Sequence, residues 1–201
     1  RSIKANTQNM LFLDIGAGSG RNSSIISQYC SRLLELDESR EMLHQNPNKK
    51  MTLQAKMQFL PFRPDIFDGV CSIAAIHHIK GQLARDQCLD EFERVLKPRG
   101  LIVITVWRFF QAKFKKNFIE QIQRCPQPKQ HEEIGDLIVK WTIEKEGSKE
   151  QIPRFYHLFR ACEFRKLIRR FIPIKCQAAG SRGNRDNRSE EHTSELQSPN
   201  T

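Results

Sequence analysis

Three groups of residues have the types and spacing to do chemistry. Asp14-Ile15-Gly16-Ala17-Gly18-Ser19-Gly20 is a D-x-G-x-G-x-G turn, in which glycines let the backbone come close to a ligand. Asp37, closing the next apolar run, is an acid that can accept two hydrogen bonds from a vicinal diol. Arg154, Tyr156 and His157 crowd hydrogen-bond donors onto one short segment, and His77 and His78 end another apolar run. Donors grouped in this way suit an anionic group.

The elements that must position these residues follow from periodicity. Apolar runs alternate with helical-period segments, the pattern of βαβ units. Leu11–Ile15, Ser31–Leu36, Met51–Ala55, Phe67–Ile76 and Leu101–Trp107 read as strands. Helices are expected over Arg21–Tyr29, from Ser39 to Gln45, and through Cys88, Leu89, Phe92, Val95 and Leu96, the last stopped by Lys97-Pro98-Arg99-Gly100. The fold class is therefore α/β, a doubly wound and mostly parallel sheet, whose ligands lie over the carboxyl ends of the strands.

The turn itself discriminates between ligands. A dinucleotide turn reads G-x-G-x-x-G, whereas here the third glycine falls two after the second and an acid sits two before the first. That spacing favours S-adenosyl-L-methionine, with Asp14, Gly16, Gly18, Gly20 and Asp37 as binding residues. Met57, just after the third strand, joins them, while Lys56 stands where an acid that accepts from adenine is expected.

A chain of 201 residues suits one domain with a sizeable core. We expect that domain to span 1–184, with 108–150 as an insertion or irregular segment rich in Lys, Glu and Gln. Both ends read as incomplete: the first strand starts almost at once after Arg1, and Arg188–Ser198 resembles the translation of a sequencing-library adapter. Residues 185–201 are accordingly expected to be a non-native, disordered tail. The formal net charge is +10, and with three arginines and four acids from Gly180 onward, residues 1–179 carry net +11. A basic domain attracts polyanions, of which nucleic acid is the commonest. The six cysteines form no C-x-x-C pair, and no apolar run approaches a membrane span of about 18 residues.

Several motifs occur in the order found in one family. They are Asp14–Gly20, Leu60-Pro61-Phe62, Phe67-Asp68, Ser72–Ile79 with its Ile76-His77-His78, Glu91-x-x-Arg94-Val95-Leu96, Val106-Trp107 and Arg154-Phe155-Tyr156-His157-Leu158-Phe159. In these the chain resembles the eukaryotic wobble-uridine tRNA methyltransferases, including the methyltransferase domain of an AlkB homologue, over about residues 11–184. The glycine turn and Leu-Pro-Phe are widespread in class I (Rossmann-like) methyltransferases, whereas Ile-His-His and R-[FY]-Y-H-x-F are narrow. The chain departs from the family at Lys56, at Arg85-Asp86 and at Arg108–Gln111.

The resemblance implies esterification of 5-carboxymethyluridine at the tRNA wobble position. It implies Arg154, Tyr156, His157, His77 and His78 as catalytic residues, with Arg154 foremost, and no metal. His77 and His78 also fit a capping or core role, and Arg154 an aromatic packing segment. The tRNA phosphates are expected at Lys113, Lys115, Lys116 and the basic face of Arg165–Arg170, a stretch that also fits a solvated helix face. A small zinc-binding activator subunit is the implied partner, with no membrane association and a cytoplasmic, also nuclear, location. Two other readings stand beside this one: a class I methyltransferase with another acceptor, and a non-catalytic tRNA-binding relative.

Overall fold

A computed structural model describes residues 9–109, 111, 114, 116–117, 119–120, 133–145, 148–179 and 191–197. Its main sheet has seven strands: β1 Leu11–Ile15, β2 Arg32–Asp37, β3 Thr52–Gln54, β4 Phe67–Ile73, β5 Leu96–Trp107, β8 Ile172–Ala179 and β9 Glu191–Gln197. They run in the order β3-β2-β1-β4-β5-β9-β8. The first five are parallel to their neighbours, and β9 is antiparallel to both β5 and β8. Strands β6 Asp136–Lys145 and β7 Ser148–His157 form a separate antiparallel pair.

Alternation along the strands divides the core into two layers. Leu13, Ile15, Val70, Ile102, Ile104 and Val106 face helix α3 (Gln82–Val95) and helix α4 (Ala161–Leu167), where they meet Leu89, Phe92, Phe164 and Leu167. Phe12, Leu33 and Cys71 point to the other layer, against Ile26 of helix α1 (Ser23–Ile26) and Cys30. Burial on both faces explains why these strands read as continuous apolar runs. The order reverses between β1 and β4, the crevice where a doubly wound sheet takes its ligand.

Three expectations need correction. The central strand ends at Ile73 rather than Ile76, because Ala74 turns to φ 53° and Ile76–His78 form a 3-10 turn. The segment read as irregular contains a register-matched hairpin, Leu137 opposite Tyr156, Val139 opposite Arg154 and Trp141 opposite Ile152. The tail read as disordered is a strand over 191–197: the edge of β5 carries unpaired N–H and C=O groups, and β9 satisfies them by backbone pairing from Leu101 to Trp107, independent of side-chain identity. The first helix is also shorter than its expected span, Ser23–Ile26, and α2 covers Arg40–His44 with Ser39 as its cap, accepting the Met42 N–H at 3.2 Å.

Candidate active site

The glycine turn leaves β1 at the carboxyl edge of the sheet and curls under a cavity of about 390 Å³. Gly16 has φ +79° and a Cβ there would lie 2.3 Å from that of Ala75, so only glycine fits. Its N–H donates to the Leu36 carbonyl at 2.7 Å, which ties the turn to β2. The Gly18 N–H donates to Asp37 Oδ2 and the Ser39 N–H to Asp37 Oδ1, both at 2.8 Å. This grip fixes the Asp37 carboxylate at the cavity wall with lone pairs left for a diol. Gly20 has a different duty: it lies outside the lining, and a Cβ on it would strike the Asn46 amide at 2.8 Å.

Asn46 belongs to a support that sequence reasoning missed. Glu35, wholly buried on β2, accepts hydrogen bonds from Asn46 Nδ2 at 3.0 Å, from Asn48 Nδ2 at 2.8 Å and from the Ser23 hydroxyl. One carboxylate thus clamps the glycine turn, α1 and the loop after α2. The available signal was Glu35 itself, an acid inside the apolar run Leu33–Leu36, which demands partners when buried.

Asp14 is buried behind the turn, and among the described residues its Oδ2 has no hydrogen-bond partner. Desolvation, with Glu35 and Asp37 nearby, pushes its carboxyl up to about 7. A buried acid left unsatisfied suits a cationic ligand.

The opposite wall comes from the end of β4 and from the hairpin. His78 is accessible from the cavity, and its Nδ1 donates to the Phe155 carbonyl at 2.9 Å. Desolvation by the surrounding protein lowers its basicity, opposed by that hydrogen bond and reinforced by the charge of Arg154. Arg154 and Phe155 of β7 line the same cavity, as does Met57. Lys56 turns outward to pair with Glu38 at 3.5 Å, so the cavity wall there is Ala55 and Met57.

Other candidates lie elsewhere. His77 is buried, accepts the Trp107 N–H at 3.3 Å and stacks near Trp107, His78 and Tyr156: it is a core histidine. Tyr156 is buried too, its ring 4.7 Å from and parallel to that of Trp107, and burial raises the pKa of its phenol. His157, on the other face of β7, sits between Asp136 at 2.7 Å and Glu163 at 2.5 Å, away from the cavity. Glu133 and Arg85 complete this buried cluster, Arg85 bonding Glu133 and also donating to the Ile79 carbonyl at 3.1 Å. Desolvation would raise the Glu163 carboxyl, but the His157 hydrogen bond and charge, the Arg160 N–H and the charge of Arg85 together hold it below its usual value. Ligand atoms of Glu133, His157 and Glu163 lie within 4.8 Å of one another, a spacing suited to a metal ion, and here Arg85 supplies the cation.

Of the expected phosphate contacts, Lys113 and Lys115 lie outside the described residues. Lys116 is exposed, as are Arg165, Lys166 and Arg169, while Arg170 pairs with Asp90 and Glu93. Lys166 and Arg169 line a second cleft of about 600 Å³.

A family described as a methyltransferase domain matches residues 13–104, and an S-adenosylmethionine-dependent methyltransferase from Methanosarcina mazei superposes with TM-score 0.76 over 96% of this chain and 94% of its own, at 16% identity. Residues 13–104 carry that methyltransferase domain, on the fold of the class I methyltransferases. A Haloferax volcanii methyltransferase, solved in complex with the Trm112 methyltransferase activator, shares the fold with TM-score 0.63 over 96% of this chain and 86% of its own, at 15% identity. Among curated relatives, the Bos taurus protein named "Probable tRNA methyltransferase 9B" is 32% identical over 66% of this chain and 25% of its own length. The Xenopus tropicalis "tRNA (carboxymethyluridine(34)-5-O)-methyltransferase alkbh8" is 24% identical over 83% of this chain and 33% of its own. The methyltransferase thus spans a quarter to a third of the length of these relatives.

The Methanosarcina mazei neighbour is S-adenosylmethionine-dependent. The residues present fit S-adenosylmethionine: Gly16 and Gly18 line the cavity in left-handed conformations, Asp37 is fixed on its wall with lone pairs for a diol, and Asp14, outside the lining, lies buried behind the turn with an unsatisfied carboxylate suited to an ammonium group. No described helix is long and apolar enough to cross a membrane.

Proposed function

We propose that this methyltransferase esterifies the carboxylate of 5-carboxymethyluridine at the wobble position of tRNA. The observation that carries the reading is the place of Arg154. A guanidinium stands on the wall of the cofactor cavity, supplied by the hairpin and facing the glycine turn and Asp37. The names of the matched relatives, which act on tRNA, support the same acceptor.

Bound cofactor supplies an electrophilic methyl group on a positively charged sulfur. The acceptor carboxylate is ionised at neutral pH, so the protein needs no general base. Its task is to align oxygen, methyl and sulfur and to keep water out. Arg154 orients the carboxylate through charge-assisted hydrogen bonds. His78, held by the Phe155 carbonyl, keeps the hairpin against the end of β4 so that Arg154 stays in register. His77 and Tyr156 form the packed floor beneath it, and His157 anchors the back of the hairpin.

The exposed cations Lys116, Arg165, Lys166 and Arg169 serve the phosphate backbone, together with Lys113 and Lys115, which lie outside the described residues. A small zinc-binding activator is the proposed partner, supported by the fold shared with the Haloferax volcanii methyltransferase, and the cytoplasm, with the nucleus, is the proposed location.

The test supplies methyl-labelled cofactor and tRNA from cells lacking the endogenous activity, then treats the product with mild alkali. Label released as volatile methanol supports the ester. Label that stays in the tRNA means methylation of a base or ribose, and cofactor binding without any transfer to tRNA means another acceptor.

A further inference from the structure

The hairpin has an inner face that the reaction described above uses only in part. Leu137, Val139 and Trp141 on β6 share this face with Tyr156, Arg154 and Ile152 on β7. The face grades from buried to open. Leu137 and Tyr156 are buried at its root, Arg154 reaches the cofactor cavity, and Trp141 and Ile152 lie beyond, 40% and 37% exposed. An exposed indole next to a site wall is costly to leave in water and is commonly a contact surface.

This indole is also held in place. The Tyr156 phenol, whose pKa burial raises against the opposing influence of Arg154 and Trp141, lies beside both side chains, and the Tyr156 ring is stacked on Trp107. The Arg154 guanidinium lies 5.3 Å from the centre of the Trp141 ring. Two planar groups, one aromatic and one cationic, are therefore anchored to the core at the mouth of the cofactor cavity. Planar groups of these two kinds are what an unstacked nucleobase stacks on, because every base has a π face and a guanidinium is flat.

We infer that Trp141 is the stacking platform for the acceptor nucleobase, a pyrimidine turned out of a single-stranded loop, with Arg154 taking the acidic substituent of the same base. The inference rests on the proposed nucleic-acid acceptor and adds to it the seat of the base. A base set on Trp141 projects its substituent toward Arg154, and so toward the cavity, without entering the cofactor's own seat. The +10 charge of the chain complements the strand that carries the base.

The experiment compares wild type, Trp141→Ala and Trp141→Phe on an anticodon stem-loop RNA carrying 5-carboxymethyluridine. Expected are a KM raised about ten- to a hundred-fold in Trp141→Ala, near recovery in Trp141→Phe, and unchanged cofactor affinity in both, which also certifies folding. An unchanged KM in Trp141→Ala while wild type still forms the ester overturns the platform and leaves the proposed reaction standing. A second readout needs no methyl transfer: a uridine-rich single-stranded oligonucleotide should quench indole fluorescence in wild type and lose that quench in Trp141→Phe, which retains Trp107. Quenching without ester formation supports the platform and refutes the proposed reaction. Absence of both refutes both.

Discussion

The two walls of the cavity are built by different physics. On the cofactor wall, Gly16, Gly18, Asp37 and Met57 come from the end of β2 and the segments that follow β1 and β3, and backbone geometry does much of the holding. On the acceptor wall, the His78 side chain meets the Phe155 carbonyl, next to Arg154 and 77 residues away in sequence, so a side chain does the holding. The first wall is a property of the fold shared with many methyltransferases. The second is where, under the proposed function, one acceptor is told from another; behind it lies the cluster of Arg85, Glu133, Asp136, His157 and Glu163, as the Glu35 network lies behind the first.

Substitutions can break this division in a graded way. The largest effect is expected at Gly16→Val: the left-handed φ and the 2.3 Å approach to Ala75 combine strain with a clash. Cofactor affinity measured by calorimetry should fall about 100-fold or more; a fall of less than tenfold would show that the turn adapts.

His157→Ala should act on the acceptor wall through stability. Removing a buried ring that joins two carboxylates leaves uncompensated charge, at a cost of about 3 kcal/mol in denaturant unfolding. Cofactor contacts should survive in whatever fraction remains folded. A loss under about 0.5 kcal/mol would mean that the cluster does not hold the hairpin.

Asp14 links the cofactor wall to pH. Its folded carboxyl keeps a proton up to about 7, above the unfolded value of 3.8, so the Asp14 contribution to stability without cofactor is greatest below pH 3.8 and falls as pH rises toward about 7. An ammonium group prefers the ionised acid, so cofactor affinity should run the other way, tightening about tenfold from pH 6 to pH 8. Asp14→Asn should flatten that profile; an unchanged slope would move the cofactor's amino group elsewhere. The smallest effect belongs to Lys56→Ala, since Lys56 is outside the cavity lining and its pair with Glu38 is exposed: cofactor affinity should stay within about twofold.

The sequence was legible where local chemistry decides the outcome. Gly16, Gly18 and Asp37 follow from spacing, because a left-handed turn and a diol-binding acid have few alternatives. Gly20 and Glu35 were less readable, since their role is mutual: the glycine lets Asn46 approach and the acid holds Asn46 in place. The hairpin did carry a signal, Leu137, Val139, Trp141 and Ile143 at every second residue, but surrounding Lys and Glu obscured it. Arg154, Tyr156 and His157 were read as one donor cluster. A strand sends successive side chains to opposite faces, so His157 leaves for the buried cluster while Arg154 and Tyr156 share the inner face.

The most direct test of this division measures methyl transfer and cofactor affinity on one preparation of Arg154→Ala. The account predicts transfer to tRNA reduced about 100- to 1000-fold, with cofactor affinity within about threefold of wild type. Parallel loss of both, or full transfer, would contradict it.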